Sequence, residues 1–191
     1  MPAFTPPRLK YSHLLMAGAM LLISYSCNKD KSATPSSYHV TCTVDGVNLN
    51  FSARCLAAIQ YGNGEKGLNI DGFNNLSDTA SGIGFIITND PGLDSITTGT
   101  YMDTSTIFTV LASYMPNGSA STAPNYTAGT SDYQEAIRSG FIPPTHFKVV
   151  ITSLTSEAVK GTFSGDFYLD ITTGHTRKKR VTNGDFYVKI Q

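Results

Sequence analysis

From Val159 to Ile171 the chain alternates with a period of two. Val159, Phe163, Phe167, Leu169 and Ile171 fall on one face, with Gly161 and Gly165 in register. Lys160, Thr162, Ser164, Asp166, Tyr168 and Asp170 fall on the other. Successive side chains of a strand point to opposite sides, so the pattern predicts a β-strand with one buried and one wet face. Phe186, Val188 and Ile190 alternate in the same way with Asp185, Tyr187 and Lys189. Asn183-Gly184, just before them, suits a β-bulge, which would let Val181 and Phe186 both point inward across a change of parity.

The first half of the chain reads alike. Tyr38, Val40, Cys42 and Val44 alternate with His39, Thr41 and Thr43. Asp45-Gly46 follows, a favoured two-residue hairpin turn because both residues tolerate positive φ. Val47, Leu49 and Phe51 continue on the same face. Cys55, Ala57, Ile59 and Tyr61 predict the next strand, closed by Asn63-Gly64. Leu68 and Ile70, then Ile83, Phe85 and Ile87, then Ile107 to Tyr114 predict more. The expected fold is all-β, an antiparallel β-sandwich or flattened barrel of about nine or ten strands. One stretch breaks the pattern. Pro116 to Pro144 is rich in Gly, Ser, Thr, Ala and Pro and is long for a connection. Within this long loop, residues 131–139 predict one short helix, with Ser131 as N-cap, Gln134 completing a capping box and Gly140 at the C-terminal end.

The N-terminus has a different grammar. Arg8 and Lys10 precede an apolar run, Leu14 to Ile23, that is too short to span a bilayer but suits the core of a signal peptide. Ser24 and Ser26 then bracket Tyr25 directly before Cys27. This order resembles the lipobox of bacterial lipoproteins, with Ser24 where that motif prefers Leu. It implies that residues 1–26 are a removable signal and that Cys27 carries the lipid. Residues 27–37 (CNKDKSATPSS) are polar and aperiodic and read as a tether. Residues 38–191 then form a single β domain, large enough to bury roughly 70% of its unfolded surface. The expected location is the bacterial outer membrane, lipid-anchored and facing either the periplasm or the exterior, with the membrane as the first partner.

A family resemblance lies in the C-terminal part. Val159-Lys160-Gly161-Thr162-Phe163-Ser164-Gly165 and Val181-Thr182-Asn183-Gly184-Asp185-Phe186-Tyr187-Val188 resemble the ending of an uncharacterised family of Bacteroidota lipoproteins. Thr41 to Phe51 and Thr98-Gly99-Thr100-Tyr101 sit where that family has similar segments. The resemblance implies a β-sandwich-like domain on the cell envelope. It implies no activity.

Charge and motifs narrow the function classes. Fourteen basic residues balance fourteen acidic ones, and Arg8 and Lys10 leave with the signal. A domain of that balance has no electrostatic pull toward nucleic acid. The basic run Arg177 to Arg180 reads as a solvated hairpin end. Gly62-Asn63-Gly64-Glu65-Lys66-Gly67 matches a dinucleotide-binding spacing, but Leu68 to Asp71 alternate as a strand, so a hairpin turn is expected. His39, His146 and His175 stand apart without metal-ligand spacing, so neither a metal nor a cofactor is expected. Asp166 and Asp170 would lie roughly 13 Å apart along a strand, beyond the usual acid–base separation. No catalytic motif is present, and an enzyme is not expected.

Two further sets of residues carry expectations. Cys42 and Cys55 either form a disulfide in an oxidising compartment or remain small buried thiols. Tyr126, Tyr133 and Phe141, in the Pro116–Pro144 loop, are candidates for gripping a glycan or protein partner, or for capping the sheet. The function expected is that of a binding or accessory component of the cell envelope. A lipocalin-like carrier of a small apolar ligand is the alternative, and a hydrolase comes third.

Overall fold

Asp45 and Gly46 both adopt positive φ, 49° and 84°, and turn the chain back on itself between two strands. This hairpin begins the described part of a computed structural model, which covers residues 38–62, 65–77, 80–89, 95–118, 123–129, 145–169 and 177–191. Eleven strands lie in it: β1 (His39–Val44), β2 (Val47–Asn50), β3 (Arg54–Gly62), β4 (Glu65–Phe73), β5 (Gly82–Asn89), β6 (Gly99–Met102), β7 (Phe108–Met115), β8 (Tyr126–Ala128), β9 (Lys148–Leu154), β10 (Ala158–Leu169) and β11 (Lys178–Lys189).

The fold is all-β and antiparallel. Nine strands run in the order β2-β1-β11-β10-β8-β7-β5-β4-β3, and β6 pairs with β9, which pairs with β10. The sheet curls. Its two distant regions meet where Ala57 of β3 forms a parallel bridge with Ile190, and the Gln191 N–H donates to the Ala57 carbonyl at 2.9 Å. First and last strands lie side by side, with His39 opposite Tyr187 and Val44 opposite Val181.

Aromatic side chains fill the concave side. The Phe85 ring of β5 lies 5.2 Å from Phe163 of β10 and 5.4 Å from Phe186 of β11, although these strands are not neighbours in the sheet. Phe147 packs 5.3 Å from Phe167, edge to face. Val40, Leu68, Ile70, Ile87, Val149 and Val159 complete this core with almost no exposure. The inward row of β10 alternates phenylalanine with glycine for a steric reason. A Cβ at Gly161 would strike the Phe186 ring, and one at Gly165 would strike Phe147, so the rings occupy the gaps the glycines leave.

The bulge lies where the sequence predicts it. Asn183 adopts φ 51°, and the β10–β11 register slips between Phe163 and Gly165. Val181 and Phe186 are both buried, at 1% and 0% exposure, across the parity change. The β1–β11 ladder slips at the same level, between Thr41 and Thr43.

Several expectations need correction. Val47 is 61% exposed, because β2 lies at the border of the sheet and only from Leu49 onward does it pack against the core. Tyr61 and Ile107 are exposed as well, since β3 outruns the core and β7 begins only at Phe108. The Pro116–Pro144 stretch is not one uninterrupted loop, for it contains β8, which is hydrogen-bonded between β7 and β10. The helix expected at residues 131–139 lies outside the described residues.

Candidate functional site

The expected site residues do not come together. Tyr126 is buried on β8, with its ring 6.2 Å from Tyr114 and the Lys179 ammonium 6.0 Å above it. It belongs to the core, because β8 carries its residue pattern Tyr-Thr-Ala inward-outward-inward. Tyr133, Phe141 and Cys27 lie outside the described residues. Cys42 and Cys55 are both free thiols, in place of the disulfide considered above. Their ladders separate them: Cys42 faces Leu49 on β2, and Cys55 faces Gly72 on β4. Burial pushes the Cys42 thiol up to about 12, so it stays protonated and unreactive.

An outside cleft of about 350 Å³ is lined by Ser95, Thr97, Thr100, Tyr101, Ile107 and Phe108, along with Gly99. Tyr101 holds its wall. Its hydroxyl donates to the Thr97 carbonyl at 2.7 Å and accepts from the Thr97 N–H at 2.8 Å. Phe108 meets the Tyr101 ring edge-on at 4.9 Å. The rim offers hydroxyls and one exposed apolar side chain, and its lining side chains carry no formal charge. Such a surface suits a neutral ligand with both polar and apolar faces.

Behind β6 sits Asp103, buried with only 5% exposure. Its Oδ2 accepts hydrogen bonds from the Thr145 hydroxyl and from the Phe147 N–H at 2.9 Å. The Asp103 N–H in turn donates to the Phe147 carbonyl at 3.0 Å. Among the described residues Oδ1 has no hydrogen-bond partner. The carboxylate thus pins the end of β6 to the entry of β9. Among the described residues no group of three His, Cys, Asp or Glu side chains could hold a metal ion.

On the outer face, His39 Nε2 lies 2.5 Å from Asp185 Oδ1, beside the Tyr38 and Tyr187 rings, tilted at 51° with centroids 4.9 Å apart. Sequence spacing hides this pair, since 146 positions separate the partners. The β1–β11 pairing alone reveals it. Three of the four cations of the basic run are paired locally. Lys178 Nζ and Arg180 Nε each lie 3.1 Å from one oxygen of Asp166, and Lys179 Nζ lies 2.8 Å from Asp45. Burial would raise the Asp166 carboxyl, but the Arg180 and Lys178 hydrogen bonds outweigh it and hold it below the usual range. Lys179 and the Arg180 N–H lower Asp45 likewise. A run with three of its four cations committed in this way makes a poor polyanion site.

No family model matches the sequence, no curated protein matches it, and no solved structure matches the chain.

Proposed function

We propose that this chain is a lipid-anchored protein of the bacterial outer membrane whose β domain acts as a binding or accessory component. The observation that carries the reading is the order of the N-terminal residues: Arg8 and Lys10, the apolar run Leu14 to Ile23, then Ser24 and Ser26 closing on Cys27. The resemblance of the C-terminal segment to Bacteroidota lipoproteins agrees with it. Acyl chains on Cys27 would bind at ~0.8 kcal/mol per buried CH₂, and two or three of them hold a domain of this size on a membrane.

The outside cleft beside Tyr101 supports binding, with a glycan or a protein segment as the ligand class its hydroxyls and Ile107 suit. The carrier reading draws support from the pairing of first and last strands, which a closed barrel requires. Packing weighs against it, because Phe85, Phe147, Phe163, Phe167 and Phe186 occupy the space a carried ligand would need.

The test is Cys27→Ser in the full chain. Lipid anchoring predicts that the variant leaves the membrane fraction and no longer incorporates a fatty-acid probe. Unchanged membrane association would refute the reading.

A further inference from the structure

The strand registers define two ends of the curled sheet. At one end lie the start of β1, the last residues of β11, the β9–β10 turn and the β3–β4 hairpin. This follows because His39 is opposite Tyr187, Tyr187 is opposite Lys160, Lys160 is opposite Ser153, and Ala57 bridges Ile190 with β3 running on to Gly62. The start of β7 belongs to the same end, since Gly67 is opposite Thr88 and Asn89 is opposite Phe108. At the other end lie the Asp45-Gly46 turn and the β4–β5 turn with Leu76.

The chain enters the domain at the first of these ends. Ten residues, Asn28 to Ser37, separate that entry from Cys27. Fully extended they span at most about 36 Å, and as a flexible coil about 17 Å. Whatever surface holds Cys27 therefore lies within about 36 Å of this end.

The entry end also carries the side chains that a bilayer interface favours. Tyr61 is 75% exposed at the tip of β3, and the Lys66 ammonium lies 5.6 Å over its ring. Ile107, 52% exposed, precedes β7. Among the described residues, Lys160 and Lys189 are exposed on the same side, and Glu157 is an exposed acid in the β9–β10 turn. An amphipathic ring backed by a long cationic side chain matches headgroup depth, where tyrosines sit and lysines extend toward phosphates. Tyr61 and Ile107 are exposed large side chains of this end, as Val47 and Leu76 are of the other, but the chain ties only this end to Cys27.

We propose that this end of the domain, through Tyr61, Lys66 and Ile107, seats on the lipid headgroups of the membrane that holds Cys27. The proposal rests on the lipoprotein reading. It adds an orientation: the Asp45-Gly46 turn, Leu76 and the ion-paired basic run face away from the membrane. The cleft beside Tyr101, sharing Ile107 at its rim, opens next to the lipid surface.

The chain contains no tryptophan, so a single introduced indole reports without background. Tyr61→Trp and Leu76→Trp would be made in the full lipidated protein and placed in phosphatidylethanolamine–phosphatidylglycerol vesicles, with and without brominated acyl chains. The expected result is a blue-shifted Tyr61→Trp emission, quenched by bromine several-fold more than that of Leu76→Trp. Adding Lys66→Glu to Tyr61→Trp should reduce the quenching at least by half. Co-flotation with vesicles but equal quenching at both positions, or none at position 61, overturns the seating while leaving the anchor intact. Failure of the lipidated chain to co-float overturns both.

Discussion

The two faces of the β10–β11 ribbon are made from alternate residues of the same strands, yet they meet opposite demands. Inward, Val159, Phe163, Phe167, Phe186 and Val188 are almost wholly removed from water and touch residues from across the curled sheet. Outward, Lys160 and Thr162 are exposed, and Asp185 and Tyr187 are half-buried in pairs with His39 and Tyr38. Tyr168 is the exception, outward by parity but only 8% exposed. Burial of apolar area does not depend on direction and adds up over many contacts. Exposed polar pairs are screened and contribute little each. Stability therefore resides on one face, and the other is free to vary with the surroundings.

Substitutions along the ribbon can break that contrast. The largest effect is expected inside, where Phe186→Ala or Phe163→Ala should lower unfolding free energy by about 3–5 kcal/mol in urea titrations. A loss below about 1 kcal/mol for both would mean that the concave side is not one packed core. Next comes Gly184→Ala. Its Cβ would collide with the Phe163 carbonyl and ring, so overpacking should cost about 1–3 kcal/mol in the same assay. A neutral result would show that the bulge relaxes freely.

Acid titration sharpens the outer side. Asp45 and Asp166 are held below the usual carboxylate range by their basic partners. Their contribution is present above an unfolded value near 4 and is lost as pH falls through the folded pKa. Asp166→Asn should thus be less stable than the native chain at pH 7, with the difference closing in strong acid. Asp71 behaves oppositely. Burial raises its carboxyl, despite an Asn69 hydrogen bond at 2.6 Å and the nearby Arg54 charge. Its ionised form costs stability at neutral pH, and that cost is relieved as pH falls through the folded pKa. Asp71→Asn should accordingly be no less stable at pH 7 than the native chain. The smallest effect is expected at Lys160→Ala, within about 0.5 kcal/mol. A larger loss there would erase the distinction between faces.

What could be read from residues alone was what neighbours in sequence determine. The Asp45-Gly46 turn depends on two adjacent φ values, the Asn183-Gly184 bulge on a local parity change, and the inward row of β10 on period two. All three are present. The misread elements depend on distant strands. Tyr126 looked like a loop aromatic because β8 has three residues, too few to show alternation, and β7 and β10 create its burial. Val47 looked inward because its own alternation cannot report that β2 lies at a border. The His39–Asp185 pair, the Asp45–Lys179 pair and the anchoring role of Asp103 all join segments dozens of positions apart. No spacing rule reaches them. The cleft beside Tyr101 was equally invisible, since it assembles where β6 and the start of β7 meet.

The pairing of β1 with β11 has a kinetic meaning. His39 cannot find Tyr187 until nearly the whole chain has been made, and closing so long a loop must precede the contacts that reward it. Topologies dominated by such non-local pairings fold in milliseconds to seconds, where helical bundles need microseconds to milliseconds. A polypeptide of this topology leaves the ribosome with β1 paired to β2 on one side and unmatched on the other. That delay postpones locking of the sheet until the trailing strand is in place.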